Sequence, residues 1–308
     1  MELGYYPGCA LKAHATALEF GASTEASLAA LGVELKEVPD WNCCGASAGH
    51  MTNSALTRAL NVRNLALAEA AGMAEILSPC PLCAKELAIA NLEVNEDPAL
   101  LKAAEDACEM TYKGTSRPIT LIEFLHNNRD MVAEHIKTKL PAIKVACYYG
   151  CLHTRPSLAM GFDNTEQPVT MDELCRLLGL ETVEWSHKTE CCGAGFTMSK
   201  PTVVARLTGR ILSAAAAAGA EAVVVSCPMC HANLDMRQAE AAKDAAVDLH
   251  LPILYLSQVL GLALDLTPKT LSLGTHFVDT TEIVARLRGE PLPVATTEAA
   301  GADGAEQE

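Results

Sequence analysis

Three short apolar runs end on or beside cysteine. Ala222-Val223-Val224-Val225-Ser226 is β-branched at its centre and leads straight into Cys227. Ala74-Glu75-Ile76-Leu77-Ser78 does the same before Cys80, and Ile143-Lys144-Val145-Ala146-Cys147-Tyr148 leads to Cys151. Each reads as a buried strand. Between them, apolar spacing predicts helices over 24–31, 56–71, 171–178, 202–218 and 232–246. The alanine-rich stretch 212–222 reads as closely packed helix, and the polar stretch 106–117 as a surface loop. Strand-then-helix order predicts an α/β fold with small, mostly parallel sheets flanked by helices. Cysteines at strand ends then gather at the carboxyl edge of each sheet, where such folds place ligands.

The pattern is written twice. Tyr5-Tyr6-Pro7-Gly8-Cys9, Asn42-Cys43-Cys44-Gly45 and Ser78-Pro79-Cys80-Pro81-Leu82-Cys83 return as Tyr148-Tyr149-Gly150-Cys151, Glu190-Cys191-Cys192-Gly193 and Ser226-Cys227-Pro228-Met229-Cys230. The lone cysteine precedes the pair by 34 residues in one copy and 40 in the other; the pair precedes Cys-Pro-x-Cys by 36 and 35. Pro118–Leu125 echoes Pro252–Val259 at the close of each copy. A repeat of this length predicts two similar domains from an internal duplication, 1–140 and 141–293. Residues 294–308, rich in Ala, Thr, Gly and Glu, read as a disordered tail.

Composition narrows the chemistry. Of 308 residues, 50% are hydrophobic and only 4% aromatic, so Ala, Leu and Val must fill the core. A formal charge of −15 argues against nucleic acid or an anionic membrane as partner. The amino terminus has no basic-then-apolar leader, and the most apolar stretch, 212–225, is interrupted by Glu221 and too short to span a bilayer. A soluble, cytoplasmic chain is expected. In a reducing compartment, its thirteen cysteines at short spacings point to metal ligands or redox centres rather than disulfides.

Each copy supplies five thiols: Cys9, Cys43, Cys44, Cys80 and Cys83, then Cys151, Cys191, Cys192, Cys227 and Cys230. Thiolates are soft ligands suited to iron–sulfur clusters and to zinc. Adjacent cysteines reach one centre only if the backbone turns, and Gly45 and Gly193 permit that turn. Five exceeds the four thiolates that a cubane cluster or a tetrahedral zinc takes. One cysteine per set is therefore spare, or the centre is unusual. A pair of purely structural zinc sites is the alternative reading.

The two tandem motifs resemble the CCG (cysteine-rich domain) family, and within it the branch that holds the B subunits of heterodisulfide reductases. The resemblance runs from Tyr5 to about Asp279. It includes Tyr149-Gly150-Cys151-Leu152-His153-Thr154-Arg155-Pro156, Cys227-Pro228-Met229-Cys230-His231-Ala232-Asn233-Leu234-Asp235 and Gly274-Thr275-His276-Phe277. It implies that each five-cysteine set holds a noncubane [4Fe–4S] cluster, and that a disulfide of thiol coenzymes is reduced between the two clusters. All ten ligand positions of that family are present. One departure is that Leu152 follows Cys151, with His153 next, where the family often has His immediately. The resemblance also implies partners within a complex, a ferredoxin-like C subunit and a flavin-containing A subunit.

Splitting a disulfide into two thiols takes two electrons, and two one-electron centres flanking the bond would supply them. A second functional reading is an electron-transfer component of a lactate, glycolate or succinate-type quinone-linked oxidoreductase, without its own disulfide chemistry. No flavin or nicotinamide motif is present; Gly193-Ala194-Gly195 lacks the full nucleotide-binding glycine pattern. His153 and His231, each beside a motif cysteine, are candidates to donate a proton or a hydrogen bond, against a packing role. His50 is a weaker one. Arg155 is a candidate for an anionic substrate group, against fixing its own loop. Cys108, Cys147 and Cys175 lie outside the motifs and read as structural thiols, Cys147 on a strand and Cys175 on a helix.

Overall fold

The structure is a computed structural model that describes residues 1–12, 15–46, 49–245 and 249–292. In the first copy the order is β1 (Glu2–Tyr5), α1 (Gly8–Leu11), α2 (Leu18–Ala30), β2 (Glu34–Glu37), α3 (Gly49–Thr52), α4 (Ser54–Ala70), β3 (Glu75–Leu77), α5 (Pro81–Glu96), α6 (Pro98–Cys108), β4 (Arg117–Ile119), α7 (Leu121–Asn127) and α8 (Arg129–His135). The second follows with β5 (Lys144–Tyr148), α9 (Ser157–Met160), α10 (Thr170–Leu178), β6 (Glu181–Thr182), α11 (Pro201–Ala217), β7 (Ala222–Val225), α12 (Pro228–Met236), α13 (Gln238–Ala245), β8 (Ile253–Tyr255), α14 (Leu256–Ala263) and α15 (Thr281–Arg288). The expected α/β duplication is what the chain forms.

Each copy builds one four-stranded, wholly parallel sheet, in the orders β2-β1-β3-β4 and β6-β5-β7-β8. Strand β7 is buried at every residue, which is why it reads as an unbroken apolar run. In this order the chain changes direction across the sheet between β1 and β3, and between β5 and β7. Clefts at such switch points, outside the carboxyl ends of the strands, are where α/β sheets bind ligands. Cys9 and Cys80 follow β1 and β3; Cys151 and Cys227 follow β5 and β7.

The two copies pack reciprocally. Helix α14 of the second lies on α2 of the first, and α7 of the first lies on α10 of the second. Every residue of α14 is buried, Ser257 and Gln258 included, so the helix presents no solvent face. Small residues let the backbones approach. Ser23 Oγ lies 2.7 Å from Ser257 Oγ, Ser27 Oγ donates to the Ser257 carbonyl at 2.8 Å, and a side chain on Gly261 would meet Ser27 Oγ at 2.9 Å. Phe20 stacks on Tyr255 across the same contact, with ring centroids 4.4 Å apart.

Four expectations change at their edges. The helix placed at 24–31 begins at Leu18, because Gly21, Ser23, Thr24 and Ser27 make up most of its buried face beside Phe20 and Leu28 and blur the apolar stripe. The helix placed at 232–246 starts at Pro228 and breaks at Arg237, where the Gln238 side chain holds the Leu251 backbone through both its amide atoms; residue 246 lies outside the described residues. Helix α11 stops at Ala217, and Gly219 turns the chain at φ +81° into β7, so 212–222 is not one helix. The loop placed at 106–117 starts in α6 and buries Tyr112 and Ser116, with Glu69 accepting from the Lys113 and Thr115 amides. The tail, 294–308, lies outside the described residues.

Candidate metal centres

Each sulfur set assembles at the carboxyl edge of its sheet by the same devices. In the first, Cys44 Sγ lies 3.2 Å from Cys83 Sγ, and Cys43 Sγ lies 3.9 Å from Cys9 Sγ. In the second, Cys192 Sγ lies 3.7 Å from Cys230 Sγ. Cys80 and Cys227 stand immediately before α5 and α12, and the Pro at the first helical position of each starts the turn that carries the next cysteine back. Cys44, Cys80, Cys83, Cys192, Cys227 and Cys230 are buried, whereas Cys9, Cys43 and Cys191 are exposed and Cys151 is half-buried. Both sets are therefore closed at the back and open at the front.

Two glycine pairs make this geometry possible. Gly45 and Gly193 sit at φ +75° and +83°, so the chain turns directly after each cysteine pair. Gly8 and Gly150 sit at φ +66° and +67°, and a side chain on either would come 2.9 Å from the sulfur of Cys83 or Cys230. Gly150→Ala is expected to cost about 1–2 kcal/mol from the left-handed backbone alone. It should also push Cys230 out of its set and lower metal content, as measured by metal per chain beside a denaturant midpoint. A tyrosine repeats too: the Tyr6 hydroxyl donates to the Asn42 carbonyl at 2.8 Å, and the Tyr148 hydroxyl to the Glu190 carbonyl at 2.7 Å. Each fixes the residue before a cysteine pair.

Crowding the thiols splits their acidities. A hydrogen bond from Cys83 lowers the Cys44 thiol to about 7, and one from Cys151 lowers Cys191 to about 6. Hydrogen bonding to their lowered partners pushes Cys83 and Cys230 well up. Burial raises Cys9 to about 11. A metal centre binding these thiols would displace their protons. Five convergent soft donors around a backbone with no room for a side chain fit an iron–sulfur cluster in each set.

Tyr255 is the buried phenol nearest to both sets in its electrostatics. Burial, then the Glu19 carboxylate and the sulfurs of Cys227 and Cys80, hold the Tyr255 phenol well above its usual range. One buried side chain is thus within electrostatic reach of both sets. Its hydroxyl donates to Glu19 Oε1 at 3.3 Å, and His231 stacks on its ring at 4.2 Å.

The other candidates are placed as follows. His153 is wholly buried, with Nε2 3.1 Å from the Ser226 carbonyl and Nδ1 without a hydrogen-bond partner; burial lowers it to about 4. His231 is buried with Nε2 3.1 Å from the Ile253 carbonyl and 3.2 Å from His276 Nδ1, and burial lowers it to about 3. Asp235, one helical turn on, accepts from the Phe277 and Val278 amides. Together they pin the segment around His276 over the second set. Arg155 is engaged by Thr189 and Glu166, which fixes its loop. His50 lies in α3, and its side chain lies outside the described part. Cys147 and Cys175 are buried 3.7 Å apart on β5 and α10, and Cys108 is half-buried at the end of α6.

Several residues escaped the sequence pattern. Lys188 and Asp172 form a buried ion pair at 2.8 Å, and Asn61, Glu86 and Asn233 surround the cysteine pairs. The Lys188 carbonyl accepts from the Tyr149 and Gly150 amides, so the pair supports the Cys151 loop. Only its position three residues before Cys191 marks Lys188 in the sequence.

Residues 3–88 and 145–235 match the model of the cysteine-rich domain named CCG. The chain belongs to the CCG family. It is 32% identical over 289 residues to the 8-methylmenaquinol:fumarate reductase membrane anchor subunit of Wolinella succinogenes, covering 92% of this chain and 99% of that one. It is 31% identical over 295 residues to the B subunit of the ferredoxin:CoB-CoM heterodisulfide reductase of Methanosarcina mazei, covering 93% and 97%. A hypothetical protein of Helicobacter pylori shares the fold at TM-score 0.69 and 14% identity, over 90% of this CCG chain and 52% of that chain. Among the described residues no helix is long and apolar enough to cross a membrane.

Proposed function

We propose that this chain is the iron–sulfur catalytic subunit of a heterodisulfide reductase-type complex, reducing a disulfide of thiol coenzymes to two thiols. The observation that carries the proposal is two matching five-sulfur sets, each buried at its back and open at its front, at the carboxyl edge of two equivalent parallel sheets. Cys9, Cys43, Cys44, Cys80 and Cys83 would hold one noncubane [4Fe–4S] cluster, and Cys151, Cys191, Cys192, Cys227 and Cys230 the other. When bound, the clusters supply one-electron chemistry. The reaction consumes two electrons and two protons per disulfide and releases two thiols.

The chain's own residues shape the site around that chemistry. Gly8 and Gly150 keep the backbone away from the sulfurs, and Tyr6 and Tyr148 fix the cysteine pairs. The Tyr255 hydroxyl donates to Glu19, whose carboxyl is raised above its usual range by burial, and Glu19 is the member of the pair suited to hold a proton for a product sulfur. His153 and His231 are buried and bonded to the Ser226 and Ile253 carbonyls, which holds them beside Cys151 and Cys230 in the chain. Electrons would enter from a ferredoxin-like partner, itself fed by a flavin-containing one.

A second reading, a quinone-linked electron-transfer component without disulfide chemistry, is favoured by the similarity to the Wolinella succinogenes protein. One assay separates the two. Anaerobically reconstituted protein is given reduced viologen and a panel of thiol-coenzyme disulfides. Dye oxidation with two thiols formed per disulfide supports the reductase; full cluster content with no turnover across the panel supports the conduit.

A further inference from the structure

Glu86 and Asn233 stand at equivalent positions, three residues after the last cysteine of each copy, on α5 and α12. Their chemistry differs. Asn233 Nδ2 donates to Cys192 Sγ at 3.5 Å and to the Cys192 carbonyl at 3.3 Å. In the first copy the matching task, holding the Cys44 carbonyl, is done from another helix: Asn61 Nδ2 on α4 donates to it at 2.9 Å. That releases position 86 for a carboxylate. Glu86 is buried, ion-paired with Lys85 and acceptor-only. It lines the same small cavity as Asn61, which holds the Cys44 carbonyl, whereas Asn233 presents an amide N–H to Cys192 Sγ. A backbone donor adds to the difference, since the Gly193 amide donates to Cys191 Sγ at 3.3 Å in the second copy.

We infer that these two residues set the two centres at unequal reduction potentials, the first copy's lower and the second copy's higher. The inference rests on the reading that both sets hold iron–sulfur clusters. Reduction adds negative charge to a cluster and its thiolates. An N–H···S bond stabilises that charge and raises the potential, while a buried carboxylate opposes it. The first-copy centre is therefore the stronger reductant, and an electron placed on it is passed to the second copy.

The test is a mediated redox titration of the full, anaerobically reconstituted chain, followed by electron paramagnetic resonance. The wild type should reduce in two resolved waves. Glu86→Gln supplies an amide donor and should raise the lower wave only, by about tenfold in the reduced-to-oxidised ratio at fixed potential, equal to about 59 mV for one electron. Asn233→Asp should lower the upper wave only, by a similar factor. Full iron with one coincident wave, or two waves that neither substitution moves, overturns the inference and leaves the cluster assignment standing. Stoichiometric zinc without iron overturns both.

Discussion

Cys192→Ser is expected to remove about half of the iron from the anaerobically purified chain and to abolish disulfide turnover, leaving the fold in place. The sulfur is 2% exposed and lies 3.7 Å from Cys230 Sγ, at the closed back of its set. A serine hydroxyl is a hard donor that does not ionise near neutral pH, so it cannot replace a soft, acid-shifted thiolate. Cys44→Ser should empty the first set in the same way. The loss in both cases is confined to one copy, because the sets share no sulfur. Cys175→Ser is the control: Cys175 pairs with Cys147 in the core, so iron should stay unchanged. Iron per chain by elemental analysis decides it. Full iron in Cys192→Ser, or equal loss in Cys175→Ser, would remove the ligand assignment.

Lys188→Met should destabilise the protein by about 3–5 kcal/mol, the usual cost of stranding one partner of a buried ion pair. Lys188 and Asp172 are 3% and 1% exposed in their side chains, and Asp172 also accepts from the Tyr149 hydroxyl at 2.7 Å. Desolvation already raises the Asp172 carboxyl above the usual range, against the pull of Lys188. Removing the ammonium leaves that opposition without an answer. Replacing both, in Lys188→Met/Asp172→Leu, should recover much of the loss, since two apolar groups of similar volume need no partner. Denaturant midpoints of the three proteins measure this. Equal stability of the single variant and the wild type would mean the pair contributes nothing.

The comparison of copies shows why Lys188 was hidden. Pro7 occupies the place of Tyr149, between the fixed tyrosine and the glycine before the first cysteine. Proline brings neither a hydroxyl nor an amide hydrogen. The first copy therefore has no phenol at this position to support, and Asp40, three residues before its cysteine pair, lies on the surface. Cysteine spacing is readable because ligand geometry fixes it along the chain. Strands β3, β5 and β7 were readable because both faces are buried. Lys188 and Asn233 act through Asp172 and Cys192, 16 and 41 residues away, and cysteine spacing does not reveal those contacts. Arg155 shows the complementary case: a cation in a motif loop invites a substrate role, and the structure adds Thr189 and Glu166 as the partners that hold its loop. The start of α2 was missed for a related reason, since serine and glycine on the face that meets another helix blur the apolar stripe to be counted.

The mutual embrace of α2 with α14 and α7 with α10 has an evolutionary implication. Severed after residue 140, each piece would bare greasy helices shaped for its sibling, so the fragments ought to reassemble when mixed and clump when kept apart. An ancestor bearing a single unit could have satisfied those same helices with a twin of itself.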